Sequence, residues 1–224
     1  MFKGMEESVE CKEMLQREVN EYQKIHPEGN ITPEEARDYW DKLYKDLEIS
    51  EAKADNPRRE VIDGKVNYFD DNGTLYRVDD NLLEKNKYEL NGYRYETDDN
   101  ARIVSAEGVL HMKNREGRLP IRDSIEDIGK GDQLENDDRG HLIGDQFDGP
   151  NGMENMIPQD AEINRNDFKN FENELASMVK AGDEVKVEIE PIYDGQSRRP
   201  TDIVVTYSIN GIEDVRIFPN GEEN

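Results

Sequence analysis

Cysteine is nearly absent from this chain. The single one, Cys11, excludes an internal disulfide, so cysteine content leaves the compartment open and a secreted bacterial protein compatible. Apolar residues are scarce too, at 33% against 37% charged, which excludes a large dry core and predicts a modest one under a heavily solvated surface. No apolar run is long enough to span a bilayer, and none near Met1 forms the apolar core of a signal peptide. The expectation is no membrane span and, if the chain is exported, a signal-peptide-independent route or passage within a longer parent. Positive charge is in short supply: 29 Lys and Arg stand against 53 Asp and Glu, for a net charge of -24. That argues against a broad basic surface for nucleic acid, unless a local basic site or a divalent cation overrides it. The same charge keeps the chain soluble. Ten tyrosines and an aromatic content of 8% argue against full disorder. A length of 224 residues allows one medium domain with an extension, or two small domains.

Periodicity divides the chain. Residues 5–25 read as a charged helix with a thin stripe of Met14, Leu15, Val19, Tyr22 and Ile25. A second helix begins with Thr32 as N-cap, Pro33 at the first helical position and Glu35 completing a capping box. A polar linker follows, which places a helical extension at 1–56 and a separate domain at 57–224. From Val61 the pattern turns to period two, broken by turn signals at Asp71-Asn72-Gly73, Asn91-Gly92 and Asp98-Asp99-Asn100. Residues 118–136 read as a loop with a short helical turn. Phe168, Phe171, Leu175 and Val179 predict a helix over 165–180 that ends at Gly182. Two closing strands then flank "DGQSRRP". The class is α+β, with an antiparallel sheet and helix packed on it.

The segment "DDRGHLIGDQFDGPNGMENMIPQDAEINRNDF" (137–168) holds one of only three histidines. His141 suits a general base because its ordinary pKa lies near neutrality. Arg139 lies two residues earlier, on the same side if the segment is extended, where its guanidinium could fork onto a phosphate. Gly140 allows close backbone approach, and Asp138 could orient the imidazole or a nearby backbone. Asn164, just before the predicted helix, offers a neutral oxygen suited to magnesium. Glu172 lies eight residues on, about 80° around an α-helix, within reach of a metal-bound water. Each also has an ordinary reading: a surface turn, a helix cap, a solvated helix residue.

"DRGH", then "NMIPQ" (155–159), then Asn164 and Glu172, resemble the DNA/RNA non-specific endonucleases, the His-Me finger or ββα-metal nucleases. Within them the wording of 91–108, 129–155 and 189–200 is similar to a bacterial branch found as C-terminal toxin domains of polymorphic toxins, including type VII-secreted ones. The resemblance runs from about Val61 to Phe218. It implies a His-Me finger fold and magnesium-dependent cleavage of DNA and/or RNA with low sequence specificity, manganese being the alternative ion. His141 would be the base, Asn164 the direct metal ligand, and Glu172 a ligand through water. Asn155 would stand near the histidine, and Arg139 would support the site or touch phosphate.

The resemblance also implies a cognate immunity protein as partner over the cleft. Two departures stand out. Where some members carry an Arg four residues after the Glu, this chain has Ala176. Members of the broader family also use an arginine upstream of DRGH, for which Arg94, Arg102, Arg118 and Arg122 are candidates among which the sequence does not choose. The rival reading is a catalytically weak or acidic, DNA-mimic or immunity-type binding module. It accounts for the charge but not for the DRGH–Asn–Glu set.

Overall fold

The structure, a computed structural model, describes Thr32 and residues 58–221. The two helices expected at the N-terminus, apart from Thr32 itself, and the boundary at Pro57 lie outside the described residues. The chain divides into two compact units, 1–68 and 69–224.

In the first unit, β1 (Arg58–Ile62) turns at Asp63-Gly64 into β2 (Lys65–Phe69). Both turn residues have positive φ, 51° and 74°, which Asp-Gly tolerates. The Arg59 guanidinium lies over the Tyr68 ring, 5.0 Å from its centre.

The second unit opens on a turn held by Asp70. Its Oδ1 accepts the backbone N–H of Asn72 at 2.9 Å and of Thr74 at 2.7 Å. β3 (Leu75–Val78) and β4 (Asn81–Leu82) follow. The main element is a six-stranded antiparallel sheet. Its strands are β5 (Lys87–Leu90), β6 (Tyr93–Thr97), β7 (Ile103–Val109), β10 (Val185–Ile192), β11 (Asp202–Ile209) and β12 (Ile212–Pro219), in the order β12-β11-β10-β7-β6-β5. The α+β class is as the alternation required. β10 shows the reason: Val185, Val187, Ile189 and Pro191 are buried, while Lys186 and Glu188 face solvent.

Four strands go beyond the sequence reading, the two-residue β4 among them. β12 is a third closing strand; Glu213, Asp214 and Arg216 mask its pattern because it is an edge strand, exposed over most of its length. β8 (Asp137–His141) and β9 (Met156–Asp160) form a separate two-stranded ladder, pairing Gly140 with Ile157 and His141 with Met156.

Helical structure is limited among the described residues. α1 (Ile125–Gly129) is capped by Ser124, whose Oγ accepts the Asp127 N–H at 3.1 Å. The last helical segment begins earlier than its apolar spacing suggests. It runs as α2 (Ala161–Ile163), a π-helical turn (Asn164–Phe168) and α3 (Lys169–Ala181), ended by Gly182 at φ +95°. Phe168 meets Phe218 edge-on at 5.0 Å, and Phe171 meets Tyr207 at 5.1 Å. Each ring buried against the sheet contributes roughly 1.5–3 kcal/mol, fixing this helical segment to the sheet.

A buried charge network fixes the other side. Arg77 forks onto Asp123 at 2.6 and 2.9 Å, and Glu154, fully buried, takes Arg122. Asp123 also accepts the Met153 N–H at 2.7 Å. Removing one partner of such a set costs about 3–5 kcal/mol, because it strands a buried charge.

Candidate active site

β8 carries the DRGH residues and the helical segment carries Asn164 and Glu172. The fold brings them to one cleft of about 490 Å³, whose lining includes Arg118, Arg139, His141, Asn164, Lys169 and Glu172. A smaller cavity of about 40 Å³ beside Arg102, Tyr193 and Arg198 includes none of the DRGH residues, Asn164 or Glu172 in its lining.

His141 sits at the end of β8, 8% exposed. Its Nε2 is 2.9 Å from Asn151 Oδ1. An amide oxygen only accepts, so Nε2 carries the proton and Nδ1 keeps the basic lone pair. Burial pulls the imidazole down to about 4, against the raising effect of the Asn151 bond; nearby Arg118 lowers it further. The ring is therefore neutral near pH 7, the state a base requires.

Asp138 does not touch the imidazole. Its carboxylate takes a fork from Arg165, at 2.7 and 2.6 Å, and the Asn164 amide nitrogen at 3.0 Å. Burial would raise its pKa, but these donors outweigh it and hold it below the usual carboxylate range. With its nitrogen spent on Asp138, Asn164 keeps its carbonyl oxygen free. Nor is Asn164 the N-cap of the helical segment. Asp160 takes that place, accepting the Glu162 and Ile163 N–H groups at 2.9 and 3.2 Å.

The π-helical turn changes the relation between Asn164 and Glu172. Closing a wider turn uses an extra residue, so eight residues rotate about as far as seven in an α-helix, leaving about 20° rather than 80° between them. Both side chains line the cleft. Glu172 is half-buried and has no hydrogen bond or ion pair of its own among the described residues. Burial pushes its carboxyl up to about 7, partly offset by Arg118 and Lys169. Gly144 packs against it: a Cβ there would stand 2.2 Å from Glu172 Oε1.

The remaining expectations separate. Arg139 is exposed, lines the cleft and donates to Asp123 O at 3.0 Å. Gly140 packs on the buried Gln159 rather than facing open space; a Cβ would lie 2.1 Å from Gln159 Oε1. Asn155 is fully buried and stands behind the site. It donates to Ile143 O and Pro150 O at 2.7 and 2.9 Å and accepts the Ile143 N–H at 2.9 Å, pinning the loop after His141. Of the four upstream arginines, only Arg118 lines the cleft. Arg94 pairs with Glu107 on the sheet. Arg102 is held by Asp98 and by the Gly195 and Ser197 carbonyls, and Arg122 by Glu154. Ala176, 2% exposed, packs into the core.

Asn151, Asp145, Arg165 and Lys169 escaped the sequence reading, and only the fold marks them. Arg118, Arg139 and Lys169 line the cleft with no ion pair among the described residues, whereas Arg165 is neutralised by Asp138. Three unpaired cations in the cleft make a local basic site in an acidic protein.

Residues 84–211 match the family described as DNA/RNA non-specific endonuclease, over half of the chain. The chain belongs to the DNA/RNA non-specific endonuclease family. Among relatives of this chain, the type VII secretion system protein EssD of Staphylococcus aureus (strain USA300) is 35% identical over 138 residues, covering 58% of this chain and 22% of that protein. The probable deoxyribonuclease RhsA of Dickeya dadantii (strain 3937) is 28% identical over 122 residues, 54% of this chain and 8% of that one. The chain thus spans about a fifth or less of the curated relatives it matches. Among solved structures, NucA from Streptococcus agalactiae with magnesium bound is similar over 81% of this chain and 90% of that one, at 14% identity and a TM-score of 0.47. Sda1 nuclease with bound zinc is similar over 58% and 76%, at 18% identity and a TM-score of 0.43.

The donor set fits a hard divalent cation. Asn164 offers a free amide oxygen, and Glu172 is a partly enclosed carboxylate without a partner of its own. Among the described residues, no group of three or more His, Cys, Asp or Glu side chains could hold a metal ion. An ion here would therefore keep most of its waters.

Proposed function

We propose that residues 57–224 form a metal-dependent endonuclease domain that hydrolyses phosphodiester bonds of DNA and/or RNA with little sequence preference. The observation that carries this reading is the convergence of a neutral, oriented His141 with Asn164 and Glu172 in one cleft. His141 Nδ1 takes a proton from water, which attacks phosphorus in line, while Asn151 holds the ring. Arg139 and Arg118 bind the phosphate oxygens. Asn164 would hold magnesium or manganese directly and Glu172 would do so through water, and such an ion would supply positive charge to offset the negative charge developing on the phosphate and the leaving 3′ oxygen. The product carries a 5′ phosphate. No side chain in this arrangement reads base edges, so low specificity follows.

The similarity to EssD and RhsA over the matched segment supports a further reading: a bacterial toxin module, delivered to target cells, with a cognate immunity protein as partner. No helix among the described residues is long and apolar enough to cross a membrane. An acidic binding module explains the net charge but leaves the oriented His141 and Asn164 without a use. Digestion of plasmid and RNA by wild type and by His141→Ala, with magnesium and with EDTA, separates the two readings.

A further inference from the structure

Asp145 lies four residues beyond the base, in the 3-10 turn Asp145–Phe147, and its carboxylate is a junction. On one side Oδ2 takes Lys113 Nζ at 2.5 Å and Oδ1 takes Arg115 Nη2 at 2.5 Å. The same two cations also grip the Gly117 carbonyl, Lys113 Nζ at 2.5 Å and Arg115 Nη1 at 3.1 Å. That carbonyl belongs to the peptide bond leading into Arg118, the upstream arginine that lines the cleft. The backbone agrees, with the Lys113 N–H donated to Gln146 O at 3.0 Å. On the other side Asp145 Oδ1 lies 3.4 Å from Asn151 Nδ2, and Asn151 Oδ1 holds His141 Nε2.

From this geometry we infer that Asp145 is a positioning residue that couples the base to the Arg118 arm. One carboxylate orients the amide that sets the His141 tautomer, and through Lys113 and Arg115 it fixes the loop that presents Arg118. Its own role is not phosphate binding, since a carboxylate repels phosphate. The ion pairs are largely enclosed, with side-chain exposures of 12% for Asp145, 19% for Lys113 and 14% for Arg115, so water screens them little. The inference rests on the proposed nuclease reading for its activity arm only.

The test is Asp145→Asn, which keeps shape and removes charge, combined with Arg118→Ala in a double-mutant cycle. The expected result is a loss in kcat of tenfold or more and a raised KM in Asp145→Asn. Arg118→Ala should then cost less than twofold on that background, having cost at least fivefold alone. In metal-free protein, nitrogen NMR should show the hydrogen-bonded Nε2–H of His141 in wild type and its loss in Asp145→Asn. Asp145→Glu should restore part of both. If Asp145→Asn does not fold, Lys113→Met and Arg115→Met replace it, and each should weaken the Arg118 effect. Strict additivity with an unchanged imidazole signal would overturn the coupling. If wild type cleaves nothing, the nuclease reading fails, and the imidazole signal alone decides whether Asp145 orients the ring.

Discussion

Asp138 Oδ2 accepts a hydrogen bond from Asn164 Nδ2 at 3.0 Å, joining the first residue of the DRGH run to the residue that offers a metal ligand. The bond fixes which end of the amide faces outward. Support of this kind for a ligand is worth about 10–100-fold in metal affinity. Asp138→Ala should therefore raise the magnesium concentration for half-maximal cleavage by about that factor, with a smaller change in the saturated rate. Calorimetric magnesium titration checks it, and an unchanged affinity would remove Asp138 from the site.

In its proposed role Glu172 would cost stability at neutral pH. Its folded pKa of about 7 lies above its ordinary 4.5, so the folded protein binds this proton more tightly. The stability from that proton is present below about pH 4.5 and lost as pH rises through about 7. In EDTA, Glu172→Gln should stabilise the protein at pH 8 by up to about 3 kcal/mol, less whatever solvent screening removes, and hardly at all near pH 4. Urea denaturation at the two pH values reads the difference. Activity should be lost in the same variant.

In the proposed mechanism the acid limb of the pH–rate profile belongs to His141. Its folded pKa of about 4 lies below the ordinary 6.5, so cleavage at saturating metal should hold as pH falls from 8 to 6 and decline only on approach to 4. The stability linkage has the opposite sign to that of Glu172. The unfolded chain takes up this proton first, so stability is full above about 6.5 and falls toward 4. A limb centred at 6.5 would mean that the ring is not buried as described.

Three unpaired cations in the cleft set the salt dependence. Arg118, Arg139 and Lys169 predict a slope of about -3 in log affinity against log salt for duplex DNA, measured on inactive His141→Ala. Arg118→Ala should reduce the slope by about one. Arg94→Ala, on the sheet, should leave it unchanged.

Space around Gly144 gives a steric prediction. A methyl group there would meet Glu172 Oε1 at 2.2 Å and must displace the carboxylate. Gly144→Ala should lower cleavage by about 100-fold, since misplacement of about 1 Å costs that much. Circular dichroism should show the fold retained.

What the sequence made legible follows from how each signal is encoded. Period-two runs and Asn-Gly turns reveal the sheet because burial on one face alternates; Asn210-Gly211, with φ of 51° and 86°, joins β11 to a strand whose charges hid it. His141, Asn164 and Glu172 stood out as a spaced set. Asn151 and Asp145 did not, because they act through contacts made only once the loop folds back; Asp138 was visible, but its partners Asn164 and Arg165, 26 and 27 residues on, were not. Asn164 read as the residue before a helix because the apolar spacing begins at Phe168, whereas the helix begins at Asp160, a cap whose signal is local. The choice among four arginines needed tertiary structure, since an arginine's partner lies 4 residues away at Arg102 and 32 away at Arg122.

The most direct measurement is digestion of plasmid DNA and of RNA by wild type and His141→Ala, each with magnesium and with EDTA. The account predicts cleavage by wild type with magnesium alone. It further predicts no cleavage in EDTA or by a His141→Ala protein that retains its fold. Cleavage by folded His141→Ala at the wild-type rate, or none by folded wild type in magnesium or manganese, would contradict it.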